Sequence, residues 1–137
     1  THFTVKEAHA GDLAEPGTVL IAPGDRHMKL KKTGGCYRVD VFAGEKVNGH
    51  CPSVDVLFES VAYTAGDKSL GVIMTGMGHD GAKGMLLMHK NGAVTIGQDE
   101  SSCVVYGMPK AAYEIGAVDK QVPLDKIPDP LLTLLSR

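Results

Sequence analysis

The fold is decided by the stretch LGVIMTGMGHDGAKGM, which spans residues 70–85. Its apolar start predicts a strand over Leu70–Thr75, of the kind that is buried on both faces of a parallel sheet. The two glycines that follow, Gly76 and Gly78, predict a turn in which backbone lies where side chains would not fit. The turn leads to Asp80 at the start of a predicted helix. Ligands of doubly wound α/β folds bind at the carboxyl ends of strands, so Asp80 is a candidate functional residue.

Strand and helix patterns alternate along the rest of the chain. Further strands are predicted over Thr4–Ala8, Thr18–Ala22 and Ala93–Ile96, and the second of these is predicted to be buried. The alternating patterns of His27–Lys31 and Tyr37–Val41 flank a glycine turn, which predicts a β-hairpin with one face in water. Strands that alternate with helices of about ten residues indicate βαβ units and a mainly parallel sheet.

Apolar residues at helical spacing predict four helices. Ser53 is predicted to cap the first helix, which ends before Gly66. The second runs from the Asp80 turn toward Asn91. The third starts at Met108-Pro109 and is predicted to bury Ile115. The fourth is predicted to start with Asp129 as its N-cap.

Composition narrows the classes of function. The 137 residues fit one domain, and residues 1–137 are treated as a single domain. The net charge of −2 argues against nucleic acid as the main partner. No apolar stretch reaches the ~18 residues of a membrane helix, so no membrane insertion is expected.

The cysteines and histidines indicate a protein without a metal or other cofactor. The three cysteines form no C-x-x-C pair, which favours reduced thiols in the cytoplasm and argues against zinc. The six histidines show no metal-binding spacing. The chain starts without Met, and Thr1-His2-Phe3 leads directly into a strand pattern, so we interpret it as a piece of something larger.

Two roles are open for Asp80, and they are compatible. Asp is among the best N-cap residues, so it is predicted to satisfy free N–H groups at its own helix start. A carboxylate at this place is also suited to orient a catalytic histidine. The adjacent His79 projects in another direction and is predicted to face solvent.

The glycine-rich turn and the polar loop before the first helix each have two interpretations. The backbone N–H groups of the turn suit a bound phosphate or an oxyanion hole, although neither the Walker A pattern nor G-x-G-x-x-G is present. In the loop Asn48–Asp55, Ser53 is either a helix cap or a nucleophile. It lacks the G-x-S-x-G elbow, and no serine of the chain has a convincing nucleophile context.

Four segments together resemble the catalytic domain of the bacterial chemotaxis protein-glutamate methylesterase family. They are Ile21–Met28, His50–Phe58, Thr75–Ala82 and Ser102–Pro109, in this order, and the similarity runs over essentially all 137 residues. The resemblance implies a three-layer α/β/α fold with a doubly wound sheet. It also implies a Ser-His-Asp enzyme that hydrolyses glutamate methyl esters on chemoreceptors and often deamidates receptor glutamines.

The resemblance also implies roles for individual residues and partners. Asp80 falls on the triad acid, and Met77 would lend its backbone N–H to the oxyanion hole. The implied partners are the cytoplasmic helices of methyl-accepting chemoreceptors and an upstream response-regulator receiver domain. A candidate substrate groove is assigned to His50, Pro52, Ser53, Gly76 and Gly78.

The chain departs from the family pattern in two ways. The family's nucleophilic serine lies in a G-x-S-T-G-G turn and its histidine in a Q-H-M-P turn, and both lie upstream of everything present here. The first two strand–helix units are therefore missing, and of the triad the chain supplies only the Asp. Cys51 stands where the family usually has Arg.

Two other functions are retained as alternatives. One is a phosphate- or nucleotide-binding α/β module that uses the Gly76–Gly81 loop. The other is a non-catalytic, receptor-binding fragment.

Overall fold

The structure, a computed structural model, describes residues 3–135, without the side chains of residues 134 and 135. The start at Thr1-His2 lies outside the described residues. The strands within that part are β1 (Thr4–Glu7), β2 (Thr18–Ile21), β3 (His27–Thr33), β4 (Cys36–Phe42), β5 (Leu70–Ile73), β6 (Val94–Gln98) and β7 (Lys120–Val122). The α-helices are α1 (Val54–Thr64), α2 (Ala82–Lys90), α3 (Met108–Glu114) and α4 (Pro128–Leu135).

Parallel pairing dominates the sheet structure, as predicted. Strands β5, β6 and β7 form one parallel sheet in that order, and β1 and β2 form a parallel pair. Strands β3 and β4 form the predicted antiparallel hairpin. Because β5 and β6 run in the same direction, their carboxyl ends, Ile73 and Gln98, meet at one edge of the sheet. The α/β fold class is confirmed, and this edge is where a site is expected.

Strand β2 is less buried than the sequence predicts. Val19 is 41% exposed and Ile21 is 54% exposed. Within residues 3–135, β2 pairs only with β1, so one of its edges carries no partner strand. Strand β5 is likewise only partly buried, since it pairs with β6 alone and alternates between half-buried and buried residues. The apolar runs therefore predict both strands correctly, but they predict more burial than the structure shows.

The helices agree with the predictions except at the end of α3 and at the starts of α2 and α4. Ser53 caps α1 as predicted, and its hydroxyl accepts from the Val56 N–H at 3.5 Å. Ile115 was predicted to be buried but is 47% exposed, because α3 ends at Glu114 and Ile115 points away after the last turn. Helix α4 starts at Pro128, so Asp129 lies in its first turn and is not the N-cap. The short strand β7 was not predicted.

Helices α1 and α2 approach closely at Gly84. A Cβ at this position would lie 2.6 Å from the Phe58 Cβ on α1, closer than real Cβ contacts allow. The backbone N–H of Gly84 donates to Asp55 Oδ1 at 2.7 Å. This contact ties α2 to the first turn of α1, where the polar residues of the candidate site lie.

Gly84→Ala is expected to lower the free energy of unfolding by about 1–3 kcal/mol, the usual cost of overpacking a buried contact. The Phe58 Cβ is held by the α1 backbone and cannot move aside alone. Urea unfolding of the protein that carries this chain measures the effect. Gly24→Ala is the matched control, since a Cβ at Gly24 meets no atom within 4 Å. Equal effects of the two substitutions would contradict the close approach of α1 and α2.

None of the helices that the structure describes is both long and apolar enough to cross a membrane.

Candidate active site

Asp80 lies in the turn that connects β5 to α2, at the carboxyl edge of the sheet. The strand ends at Ile73 and the helix begins at Ala82, so Asp80 precedes the helix by two residues, close to its predicted place. Asp80 is only 3% exposed to solvent. A carboxylate so deeply buried requires hydrogen-bond donors around it.

The donors come from the start of α1 and the loop before it. Asp80 Oδ2 accepts from the Val54 N–H at 2.7 Å. Asp80 Oδ1 accepts from the Asp55 N–H at 3.2 Å, the Ser53 hydroxyl at 2.8 Å and the Asn48 amide at 2.9 Å. Backbone N–H groups at a helix start carry partial positive charge, so this is a favourable place for an anion.

The prediction that Asp80 caps its own helix, α2, is therefore wrong. Its carboxylate accepts from the N–H groups at the start of α1 instead. The N-cap of its own helix α2 is Gly81, which makes no side-chain cap bond. Gly81 has a φ of 97°, and a Cβ there would lie 2.9 Å from Val54 Cγ1. This glycine lets the turn pass directly against α1, which brings the Asp80 carboxylate to the free N–H groups of that helix.

The surroundings of Asp80 set its charge. Burial raises the pKa of the carboxyl, but hydrogen bonds from Asn48, Val54, Ser53 and Asp55 outweigh it and hold the pKa below its ordinary value of 3.8. Asp80 is consequently a carboxylate at neutral pH. In this state it accepts hydrogen bonds and does not donate one.

The lowered pKa makes stability depend on pH. A carboxyl whose pKa is lower in the folded than in the unfolded protein stabilises the fold. This stabilisation is fully present at a pH above the unfolded-state pKa, and it is lost as the pH falls through the folded-state pKa. The free energy of unfolding should therefore fall as the pH drops below 3.8. In Asp80→Asn this part of the fall should be absent, which urea unfolding at a series of acidic pH values measures. Identical pH slopes for the two proteins would contradict the network around Asp80.

Sequence reasoning missed Asn48, although a signal for it is present. Val47 and His50 exchange two backbone hydrogen bonds of 2.9 Å, and Asn48 and Gly49 between them have φ values of 54° and 80°. Positive φ at both central residues is typical of a type I′ turn, and Asn-Gly is its preferred sequence. The turn directs the Asn48 amide to Asp55 Oδ2 at 2.7 Å as well as to Asp80.

The glycine-rich turn is fixed from two sides. Buried Gln98, at the end of β6, accepts from the Thr75 N–H through Oε1 at 2.8 Å, a role the sequence did not indicate. Gly76 donates to the Val105 carbonyl at 3.1 Å and accepts from the Met108 N–H at 2.8 Å. Met77 is 78% exposed, and within residues 3–135 its backbone N–H donates no hydrogen bond. A rigid turn with a free N–H is what an oxyanion donor requires.

The candidate groove residues do not share one environment. His50 and Gly78 are exposed, and Pro52 and Gly76 are half-buried. Ser53 is 2% exposed and lies beneath the surface, because its hydroxyl donates to Asp80. Ser53 thus supports Asp80, and in the described part of the chain no histidine contacts its Oγ.

The prediction that His79 faces solvent is confirmed. His79 is exposed, and His89 is half-buried on α2. His27 is 2% exposed; its Nδ1 accepts from the Ser53 N–H at 3.2 Å, and its Nε2 lies 2.6 Å from the Glu45 carbonyl. Both of its ring nitrogens are therefore engaged. Among residues 3–135, no group of three or more His, Cys, Asp or Glu side chains is placed to hold a metal ion.

Residues 1–131 match the model of the family described as CheB methylesterase. The chain belongs to the CheB methylesterase family. It is 60% identical over 133 residues to a protein-glutamate methylesterase/protein-glutamine glutaminase 2 from Syntrophomonas wolfei subsp. wolfei, covering 97% of this chain and 39% of that protein. A second such relative, from Sulfurimonas denitrificans, is 58% identical and is covered over 38% of its length. The chain thus spans about two-fifths of the length of these curated relatives.

The solved structures include the CheB methylesterase catalytic domain of Thermotoga maritima. It superposes with a TM-score of 0.93 at 41% sequence identity, covering 96% of this chain and 70% of that one. The fold predicted from the family resemblance is confirmed by this match.

Proposed function

We propose that the protein carrying this chain hydrolyses glutamate methyl esters on chemoreceptors, by a Ser-His-Asp mechanism in which Asp80 is the acid. The observation that carries the proposal is the ionised, buried Asp80 carboxylate at the sheet edge that also presents the free N–H of Met77. The names of the relatives support the same reaction and add deamidation of glutamine. This chain is the C-terminal portion of the catalytic domain and contributes the acid and the oxyanion turn.

The nucleophile and the base come from the upstream segments that the family pattern contains. The serine oxygen attacks the ester carbonyl while the histidine takes its proton, and the histidine then returns the proton to the leaving methanol. Water releases the carboxylate product from the acyl-enzyme in the same way. Asp80 keeps its negative charge throughout, since it orients the imidazole and stabilises the imidazolium.

The hydrogen bonds of Asp80 favour Oδ2 as the oxygen that receives the histidine. Within residues 3–135, Oδ1 already accepts from three donors, whereas Oδ2 accepts only from the Val54 N–H. Each carboxylate oxygen has about two lone-pair sites, so Oδ2 keeps capacity for one more donor. The histidine N–H binds Asp80 Oδ2 in this mechanism, and the Met77 N–H faces the oxygen of the tetrahedral intermediate.

The family pattern supports the partners as well. The substrate is the methylated cytoplasmic helix of a chemoreceptor, which docks along exposed His50 and Gly78 beside the turn. A receiver domain precedes the catalytic domain, consistent with relatives of more than twice the length of this chain. The described cysteines are free thiols, which suits the cytoplasm.

Methanol release from a methylated chemoreceptor fragment tests the function. The longer protein that includes the upstream serine and histidine turns should release methanol and leave glutamate at the methylated positions. Saturable nucleotide binding without ester hydrolysis would instead support the phosphate-binding alternative. Receptor binding without hydrolysis would support the non-catalytic one.

A further inference from the structure

Asn48 joins two buried acids through a single amide group. Its Nδ2 donates to Asp80 Oδ1 at 2.9 Å and to Asp55 Oδ2 at 2.7 Å. Asp80 is 3% exposed and Asp55 is 4% exposed. An amide nitrogen has two hydrogens, so the two carboxylates take its full donor capacity and fix its orientation.

The two carboxylates need a donor between them. The two residues are also linked directly, because the Asp55 backbone N–H donates to Asp80 Oδ1 at 3.2 Å. A buried carboxylate is costly unless hydrogen-bond donors surround it. The Asn48 amide donates to both acids, and its hydrogen bond to Asp80 helps to hold the pKa of that carboxyl below its ordinary value.

Asp55 is in turn anchored to the neighbouring helix. Its Oδ1 accepts from the Gly84 N–H at 2.7 Å, where α1 and α2 approach closely. The chain of contacts therefore runs from α2 through Asp55 and Asn48 to Asp80. Without the Asn48 amide, Asp80 would keep its hydrogen bonds to Ser53, Val54 and Asp55 at the start of α1 but would lose the donor that also holds the Asp55 carboxylate.

We propose that Asn48 is a positioning residue for ester hydrolysis. By bridging Asp80 to Asp55, it holds the Asp80 carboxylate in the orientation that the histidine requires. The inference rests on the proposed function, because it takes Asp80 as the acid of the triad. Asn suits the position for two independent reasons: it tolerates the φ of 54° that the turn requires, and its amide reaches both acids.

Asn48→Gly in the longer protein tests the proposal. Glycine keeps the type I′ turn and removes only the amide. We expect kcat for methyl ester hydrolysis to fall by about tenfold with little change in KM, because a misplaced catalytic group costs turnover more than binding. The pKa of Asp80, followed by the NMR shift of its carboxyl carbon, should rise. Asn48→Asp, which replaces the donor by a third acid, should lower kcat further.

Asn91→Gly is the matched control. The Asn91 amide donates to the Leu87 carbonyl at 2.7 Å at the end of α2, away from both acids. This variant should keep the kcat of the parent protein and the pKa of Asp80. A purely structural role of Asn48 would change the unfolding midpoint and leave both of those quantities unmoved.

The outcomes separate this inference from the proposed function. If Asp80→Asn is inactive while Asn48→Gly keeps full kcat and an unchanged pKa of Asp80, the positioning role is overturned and the proposed function stands. If Asp80→Asn remains active, the assignment of the triad acid fails and the positioning role fails with it. If Asn48→Gly and Asn91→Gly lose turnover equally, the loss is a general destabilisation, and the positioning role is again overturned.

Discussion

Asp80→Asn is expected to reduce ester turnover of the longer enzyme by orders of magnitude while the fold persists. An Asn at the acid position of a serine protease holds the histidine in the wrong tautomer, which costs about 10⁴ in kcat. Methyl ester hydrolysis is easier than amide hydrolysis, so the loss here should be at or below that figure. Methanol release at saturating substrate measures the effect.

A matched control separates this loss from a general loss of stability. Asp119 is an acid at the surface, which accepts the Thr95 backbone N–H at 2.9 Å and lies 2.9 Å from His89 Nδ1. It precedes β7 and lies at the amino edge of the sheet, opposite to Asp80. Asp119→Asn should lower stability without reducing turnover. An Asp80→Asn enzyme within about twofold of the parent would refute the assignment, since twofold is only ~0.4 kcal/mol of barrier.

The sequence predicts the elements of this fold well because most of them have local signals. The hairpin follows from alternation around a glycine turn, and α1 follows from Ser53 and the apolar spacing after it. The burial of β2 does not follow in this way. How much of Val19 and Ile21 is covered depends on which strands pair with β2, and no pattern within the strand encodes that.

The candidate site could be predicted only in part, for a similar reason. The place of Asp80 at a strand end follows from the apolar run and the glycines, but its partners lie 25 to 32 residues away in the chain. Only the Asn48-Gly49 pair gave a local signal, through its preference for a type I′ turn. Nothing local to Gln98 indicates that its amide fixes the Thr75 turn, because that contact forms across two neighbouring strands.

The 137-residue chain by itself is expected to have no methylesterase activity. An orienting carboxylate cannot attack an ester, and the described residues offer no serine and histidine arranged as nucleophile and base. The Ser53 hydroxyl donates to Asp80 Oδ1 at 2.8 Å. His27, the histidine nearest to it, has its two ring nitrogens engaged by the Ser53 N–H and the Glu45 carbonyl. Within residues 3–135, no histidine is therefore placed to act as the base for Ser53.

Two measurements on one sample check this expectation, namely the intact mass and methanol release from a methylated receptor. A mass that matches 137 residues should accompany no release above the buffer rate. The longer protein with the upstream segments, assayed in parallel, serves as the positive control. Turnover by the 137-residue chain that disappears in Asp80→Asn would show that the nucleophile lies within these residues. Ser53→Ala would then be the first variant to test, because the Ser53 hydroxyl already contacts the acid.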